Sequence, residues 1–202
     1  SNKEDINEIQ KKTDNKNIDI VECKLDDSWM RDIAPIFYNE DEKLKSISFE
    51  FNGYGKYPDY LNDNKISKFI SNYLNIPTKI SDLVIEGGAI TYDDKKNLFS
   101  TNNVIFNKNR NQKHNREYII KELKLLFDLN YIFLFENGLM EDDTDGHVDN
   151  LLCPIGENKY LIATTHKLDP NFQILEKNKA DLIKFFKDTN QKFDLIEVPL
   201  PT

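Results

Sequence analysis

A recurring order of segments constrains this chain more than any other feature. Three stretches of roughly 50–60 residues each read as a hairpin, a loop, an amphipathic helix and a closing strand. In the first, residues 34–38 and 46–51 flank the polar turn Asn39-Glu40-Asp41-Glu42-Lys43. Gly53-Tyr54-Gly55 and Tyr57-Pro58 mark a loop. A helix is expected over 64–74, with Ile66, Phe69, Ile70 and Tyr73 at helical spacing, and a strand over 78–85. The second unit repeats this: strands over 89–92 and 98–106, a loop over 107–111, a helix over 114–126 and a strand over 131–135. Its helix carries Ile119, Ile120, Leu123 and the following Phe127 on one face. The third has strands over 151–155 and 160–165, a break at Asp169-Pro170, a helix over 177–186 and a strand over 193–198. Residues 6–11 and 18–23 read as the helix and strand that end an earlier unit.

One ββαβ unit cannot bury its own apolar face, so a repeat implies units stacked side by side or around an axis. Ordinary α+β alternation without true repetition is the competing reading. The 202 residues suit one domain, with units at about 26–85, 86–135 and 136–198. The 13 Phe and 9 Tyr supply a core although only 39% of residues are hydrophobic. A net charge of −8 argues against nucleic acid as a partner and suits a small cationic ligand. Two cysteines, Cys23 and Cys153, cannot staple a fold and point to a reducing, cytoplasmic setting. No apolar run is long enough for a membrane span, so no membrane partner is expected. Ser1-Asn2 reads as the scar of a cleaved tag or a processed start, and the last residues as a connection leaving a strand.

Each unit is entered through ionisable residues just before its hairpin. These are Asp26-Asp27-Ser28-Trp29-Met30-Arg31-Asp32, then Glu86-Gly87-Gly88, then the run from Asp142 to Asn150. Around an axis, equivalent positions converge, and Asp32, Glu86, His147 and Asp149 would share one pocket. Taken singly, Asp32 reads as an ion pair with its neighbour Arg31, and Glu86 as a turn residue. His147 and Asp149 leave the same face of an extended segment. A divalent cation held by residues 142–149 is the main rival, although that run lacks the EF-hand pattern. Together the four suit a planar cation. Carboxylates take the forked N–H donors of a guanidinium in pairs, and a histidine can carry a proton to leaving ammonia. A thiolate is the usual nucleophile for an amidine carbon.

Trp29-Met30-Arg31-Asp32 with Pro35, Ile85-Glu86-Gly87-Gly88, the 107–111 loop around Arg110, and Asp145-Gly146-His147-Val148-Asp149-Asn150 occur in one order. In that order the chain resembles the agmatine deiminases and their bacterial peptidyl-arginine deiminase relatives, over roughly residues 26–201. The resemblance implies a five-bladed α/β propeller, the pentein fold, of which about three units are present. It implies hydrolysis of agmatine to N-carbamoylputrescine and ammonia, a step of putrescine biosynthesis, with no metal or organic cofactor. It casts Asp32 and Asp149 as the guanidinium carboxylates, His147 as acid/base and Glu86 as its partner. Trp29 and Asp143 are expected to line the pocket or meet the distal amine.

The family's nucleophile lies in a Gly-rich segment ending Asn-x-His-Cys, which nothing in this sequence matches. Cys153 and Cys23 are both expected to pack as core residues, so the 202-residue chain is not expected to turn over. Three units would leave exposed strands that invite association, a homo-oligomer being one outcome. Peptidyl-arginine is the alternative substrate, and a non-catalytic guanidinium-binding relative the alternative role.

Overall fold

A computed structural model describes residues 18–201 together with Glu8, Ile9, Lys11 and Lys12. The expected 6–11 helix is helical at Glu8, Ile9 and Lys11, while Ile6, Asn7 and Gln10 lie outside the described residues. Three separate three-stranded sheets follow one another along the chain. The first joins β1 (Ile36–Glu40), β2 (Lys43–Glu50) and β3 (Thr78–Val84). The second joins β4 (Thr91–Tyr92), β5 (Asn97–Thr101) and β6 (Tyr131–Phe135). The third joins β7 (Leu152–Gly156), β8 (Lys159–Thr164) and β9 (Asp194–Pro199). In every sheet the first pair is an antiparallel hairpin and the third strand is parallel to the second. A parallel neighbour cannot be reached by a tight turn, so each unit spends a helix on the crossover. A short helix, α1 (Met30–Ile33), precedes the first sheet, and α2 (Ile66–Tyr73) crosses over it. In the second unit α3 (Asn102–Ile105) is a single turn and α4 (Arg116–Phe127) makes the crossover. The third unit uses α5 (Phe172–Asp188).

The units share their cores. One apolar cluster takes Ile47, Phe49, Leu83 and Ile85 from the first unit and Leu98, Ile119 and Leu123 from the second. The next takes Phe99 and Phe135 from the second unit and Tyr160, Leu182 and Phe186 from the third. Along β5 consecutive side chains point to opposite faces, so Leu98 serves one cluster and Phe99 the other. Every residue of β5 is buried for that reason.

Four expectations change. The 98–106 segment is not one strand: β5 ends at Thr101, whose side chain accepts from the Val104 amide at 3.2 Å and caps α3. The third helix starts directly after the Asp169-Pro170 break, five residues before the expected 177. Residues 18–23 form no strand. Cys153 is exposed rather than in the core, because Leu152 takes the inward face of β7. Cys23 is half-buried against the cluster of Ile33, Phe51, Tyr54 and Ile66.

Phe186 is fully buried in the cluster shared by the second and third units. Phe186→Ala should lower unfolding free energy by about 3–5 kcal/mol. Leu168→Ala, at a side chain left in solvent, should change it by less than about 0.5 kcal/mol. Urea unfolding followed by circular dichroism measures both.

Candidate active site

The loops that enter the three units come together. Asp32 lies in α1, ahead of the first hairpin. Glu86 follows β3 and leads into a 3-10 turn over Gly87–Ala89. His147 and Asp149 lie between β6 and β7, where a second 3-10 turn spans Val148–Asn150. The two turns pack on each other, and the first also packs on α1. The His147–Asp149 segment is therefore a tight turn rather than the extended chain expected, and the turn still delivers both side chains to one place.

Gly88 sits at the centre of the set. A Cβ there would lie 2.5 Å from His147 Nδ1, 2.7 Å from Asp149 Oδ2 and 2.9 Å from Asp32 Oδ1. A Cβ on Gly87 would strike the Arg31 carbonyl. The glycine pair is thus required by close approach, and any side chain would force the set apart.

Asp32 is held at both oxygens. The Gly88 amide donates to Oδ1 at 2.9 Å, and the Tyr54 hydroxyl donates to Oδ2 at 2.8 Å. Tyr54 has a left-handed backbone (φ 58°), a conformation costing roughly 1–2 kcal/mol outside glycine. Its ring lies 6.0 Å from that of His147. The His147 imidazole is buried between two carboxylates. Its Nδ1 is 3.7 Å from Asp32 and its Nε2 is 3.8 Å from Glu86. Both separations suit charge attraction but exceed hydrogen-bond length, and Nε2 has no hydrogen-bond partner. Arg31 does not pair with Asp32, as its sequence position suggested. Its Nε lies 3.5 Å from Asp149 Oδ2, and its side chain is 66% exposed.

Environment separates the carboxylates. Burial pushes Asp149 above its ordinary range; the nearby His147 works against this, and the Asp32 charge adds to it. Burial also pushes Glu86 upward, but His147 and Arg110 outweigh it and hold the carboxyl below its ordinary range. Burial raises the Tyr54 hydroxyl well above its usual value, and the Asp32 charge adds to the rise. Tyr54 therefore stays a donor to Asp32.

Asp142 builds the loop beneath His147. Its oxygens accept from the Thr144, Gly146 and His147 amides at 3.0–3.1 Å and from the Thr144 hydroxyl at 2.7 Å. A carboxylate so occupied is an internal brace rather than a free metal ligand. Among the described residues, no group of three or more His, Cys, Asp or Glu is placed to hold a metal ion.

Trp29 and Asp143 are both exposed rather than buried with the set. Trp29 is 61% exposed. Asp143 points outward and accepts from the Tyr57 hydroxyl at 2.6 Å. A hollow of about 400 Å³ beside the site is lined by Met30, Arg31, Phe37, Gly87, Ile90 and Tyr92, and no carboxylate lines it. Two contributors carry sequence signals of their own. Tyr54 is framed by two glycines, and Arg110 is one of only three arginines.

Residues 1–202 match the family model of the Porphyromonas-type peptidyl-arginine deiminases. The chain belongs to that family. Within it, the chain is 32% identical over 199 residues to an agmatine deiminase of Medicago truncatula, covering 90% of this chain and 53% of the relative. It is 30% identical over 196 residues to an agmatine deiminase of Stutzerimonas stutzeri, covering 93% and 53%. A solved agmatine deiminase variant of C. jejuni with substrate bound superposes with a TM-score of 0.86 at 29% identity. That superposition covers 100% of this chain and 59% of the other. The chain spans about half the length of the curated relatives it matches. In this family member the sheets are α/β units, and none is closed.

Two outcomes follow from this geometry. Gly88→Ala should leave a folded protein, since the atoms it meets are side-chain ends, but should push the His147 imidazole out of place. NMR of the histidine ring signals reads that displacement as a shift confined to His147. Burial raises the Asp142 carboxyl, yet the Thr144 and His147 donors outweigh burial and leave it below its ordinary range. Its stabilisation is therefore complete above the ordinary Asp value of 3.8 and is lost as pH falls through the lower folded value. Urea unfolding across acid pH should show wild type above Asp142→Asn near neutrality, with the gap closing below that value.

Proposed function

We propose that this chain carries the guanidinium-holding and proton-transfer part of a hydrolytic deiminase whose substrate is agmatine. The observation that carries the reading is the meeting of Asp32, His147 and Asp149 around Gly88, with Glu86 behind the imidazole. Asp32 and Asp149 would hold the N–H donors of a flat cation from two sides, as carboxylates do best. In the proposed reaction a thiolate adds to the guanidinium carbon. The C–N bond to one terminal nitrogen then breaks as His147 delivers a proton, and ammonia leaves. Water, deprotonated by the same imidazole, displaces the thiolate and gives N-carbamoylputrescine. The names of the relatives support this substrate.

Neither described thiol joins the set. Cys153 is exposed, with Sγ 3.8 Å from the Pro154 carbonyl, and Cys23 packs against another cluster. We therefore propose that these 202 residues bind the substrate and do not turn it over, the thiolate coming from elsewhere. The three units fit three blades of a five-bladed propeller, because equivalent loops meet at one end. Trp29 and Asp143, at the rim, are the candidates for the distal amine. The free thiols suit a cytoplasmic setting, and the exposed Ile196 and Val198 of β9 suit association with further units or a second copy. Peptidyl-arginine is the second reading, favoured by the family description and by the exposed Arg31 at the site's edge.

Calorimetry on this chain should show agmatine binding, weaker by about tenfold or more in Asp32→Asn and Asp149→Asn, and no comparable binding of putrescine, which lacks the guanidinium. Equal affinity for putrescine would reduce the site to a generic acidic patch. Tighter binding of a blocked arginine amide than of agmatine would favour the second reading. Affinity should fall on acidification earlier than an ordinary aspartate would dictate, because Asp149 takes up its proton more readily. Agmatine-dependent ammonia release that survives Cys23→Ser and Cys153→Ser would overturn the thiol argument.

A further inference from the structure

Arg110 is a buried cation that the reaction described above does not use. Its side chain is 1% exposed, and every hydrogen bond it makes leads toward the site. Nε donates to both oxygens of Glu86, at 2.8 and 3.0 Å. One terminal nitrogen donates to Asp145 at 2.9 Å, and the other to the Thr144 carbonyl at 2.8 Å. Lys56 reaches the same Asp145 at 2.8 Å from the first unit. Arg110 thereby ties the Glu86 loop to the loop that carries His147.

Charge counting gives the tie a second consequence. Glu86 has no exposed surface, and a buried carboxylate must be paired or it takes a proton. Two side chains can balance it: Arg110 in direct contact, and the His147 imidazole at 3.8 Å whenever that ring carries a second proton. His147 is also faced by Asp32 and Asp149, by the neutral Tyr54 ring, and from below by Asp142 through its own amide. Arg31 lies beyond Asp149. Three carboxylates thus surround one imidazole. If His147 alone balanced Glu86, the pair would keep one proton between them, and the imidazole could not act as a base without orphaning the buried charge.

We propose that Arg110 is a positioning residue that holds Glu86 ionised while His147 gains and loses its proton. This deepens the deiminase reading and rests on it, but its test needs no turnover. The probe is the chain itself, labelled with 13C at histidine and glutamate and titrated by NMR. Loss of the matching signals in His147→Asn and Glu86→Gln assigns the two groups.

In wild type the Glu86 carboxyl should stay ionised throughout the His147 titration. In Arg110→Gln the pair should retain about one extra proton at neutral pH. That appears as a rise of roughly one pH unit or more in the His147 midpoint, or as a protonated Glu86. Arg110→Lys restores a point charge without the fork and should recover most of the wild-type behaviour. A folded Arg110→Gln chain whose two groups titrate as in wild type would overturn the proposal. So would a Lys variant indistinguishable from Gln. If the Gln variant does not fold, the wild type and the Lys variant decide: a Glu86 carboxyl that stays ionised throughout the His147 titration in both supports the proposal, and a Glu86 carboxyl that takes up a proton during that titration in either overturns it. Absence of agmatine binding in wild type would remove the deiminase reading and leave the proton result standing, so the two failures are distinguishable.

Discussion

The structure depends on sheets that cannot cover themselves. β5 is buried on both faces, with Leu98 in one core and Phe99 in the next. Burial of that kind exists only when a unit lies against each side. The contact fixes the units in one orientation, because rotating either would uncover Phe99, Tyr160 and Phe186 on one side or Ile47 and Leu83 on the other. Once the units are aligned, their entering loops emerge at the same end. Asp32, Glu86, His147 and Asp149 meet because the apolar faces must be shared, and no contact between the polar residues need be strong to bring them there.

Polar contacts then set the fine geometry, and they cross the same boundaries. The Gly88 amide of the second unit holds Asp32 of the first, Lys56 of the first reaches Asp145 of the third, and Arg110 of the second grips the third unit's loop through Asp145. A buried ion pair adds little net stability, since desolvation offsets most of the attraction, but breaking one by removing a partner is expensive. Such pairs suit the role seen here, which is to define which arrangement of already packed units is acceptable. Gly88 sets the limit on how closely the set can gather, as its missing side chain leaves the space in which three polar atoms stand within 3 Å of one point.

The sequence carried the repeat and the convergence through local signals. Alternation and helical spacing placed Thr78–Val84 and Tyr131–Phe135 within a residue of their ends. The position of the ionisable clusters before each hairpin identified the four residues that meet. What it did not carry was non-local. Thr101 ends β5 by capping Val104, a choice that apolar residues 104–106 conceal in a pattern search. Cys153 faces solvent because neighbouring Leu152 wins the inward side, which depends on where α5 lies. Arg110 sits in a polar loop like any surface cation, and only the burial of Glu86, 24 residues earlier, gives it a purpose. Arg31 shows the reverse: adjacency suggested Asp32, whereas the turn directs it to Asp149.

In the proposed reaction the site must both hold a cation and move a proton. Carboxylates that bind a guanidinium favour a charged imidazole beside them, and a permanently charged imidazole is no base. The structure separates the two demands by environment. Asp32 has each oxygen engaged by a donor, Asp149 stays 28% exposed and is raised by burial, and Glu86 is sealed in and paired with Arg110. Three carboxylates, Asp32, Asp149 and Glu86, face the His147 imidazole, while Asp142 braces its backbone amide from below. Of these, only Glu86 has a buried cation donating to both of its oxygens. In the proposed reaction a guanidinium arriving between Asp32 and Asp149 would leave the pairing of Glu86 with Arg110 untouched, so the carboxylates that hold the cation and the one that backs the imidazole are kept apart.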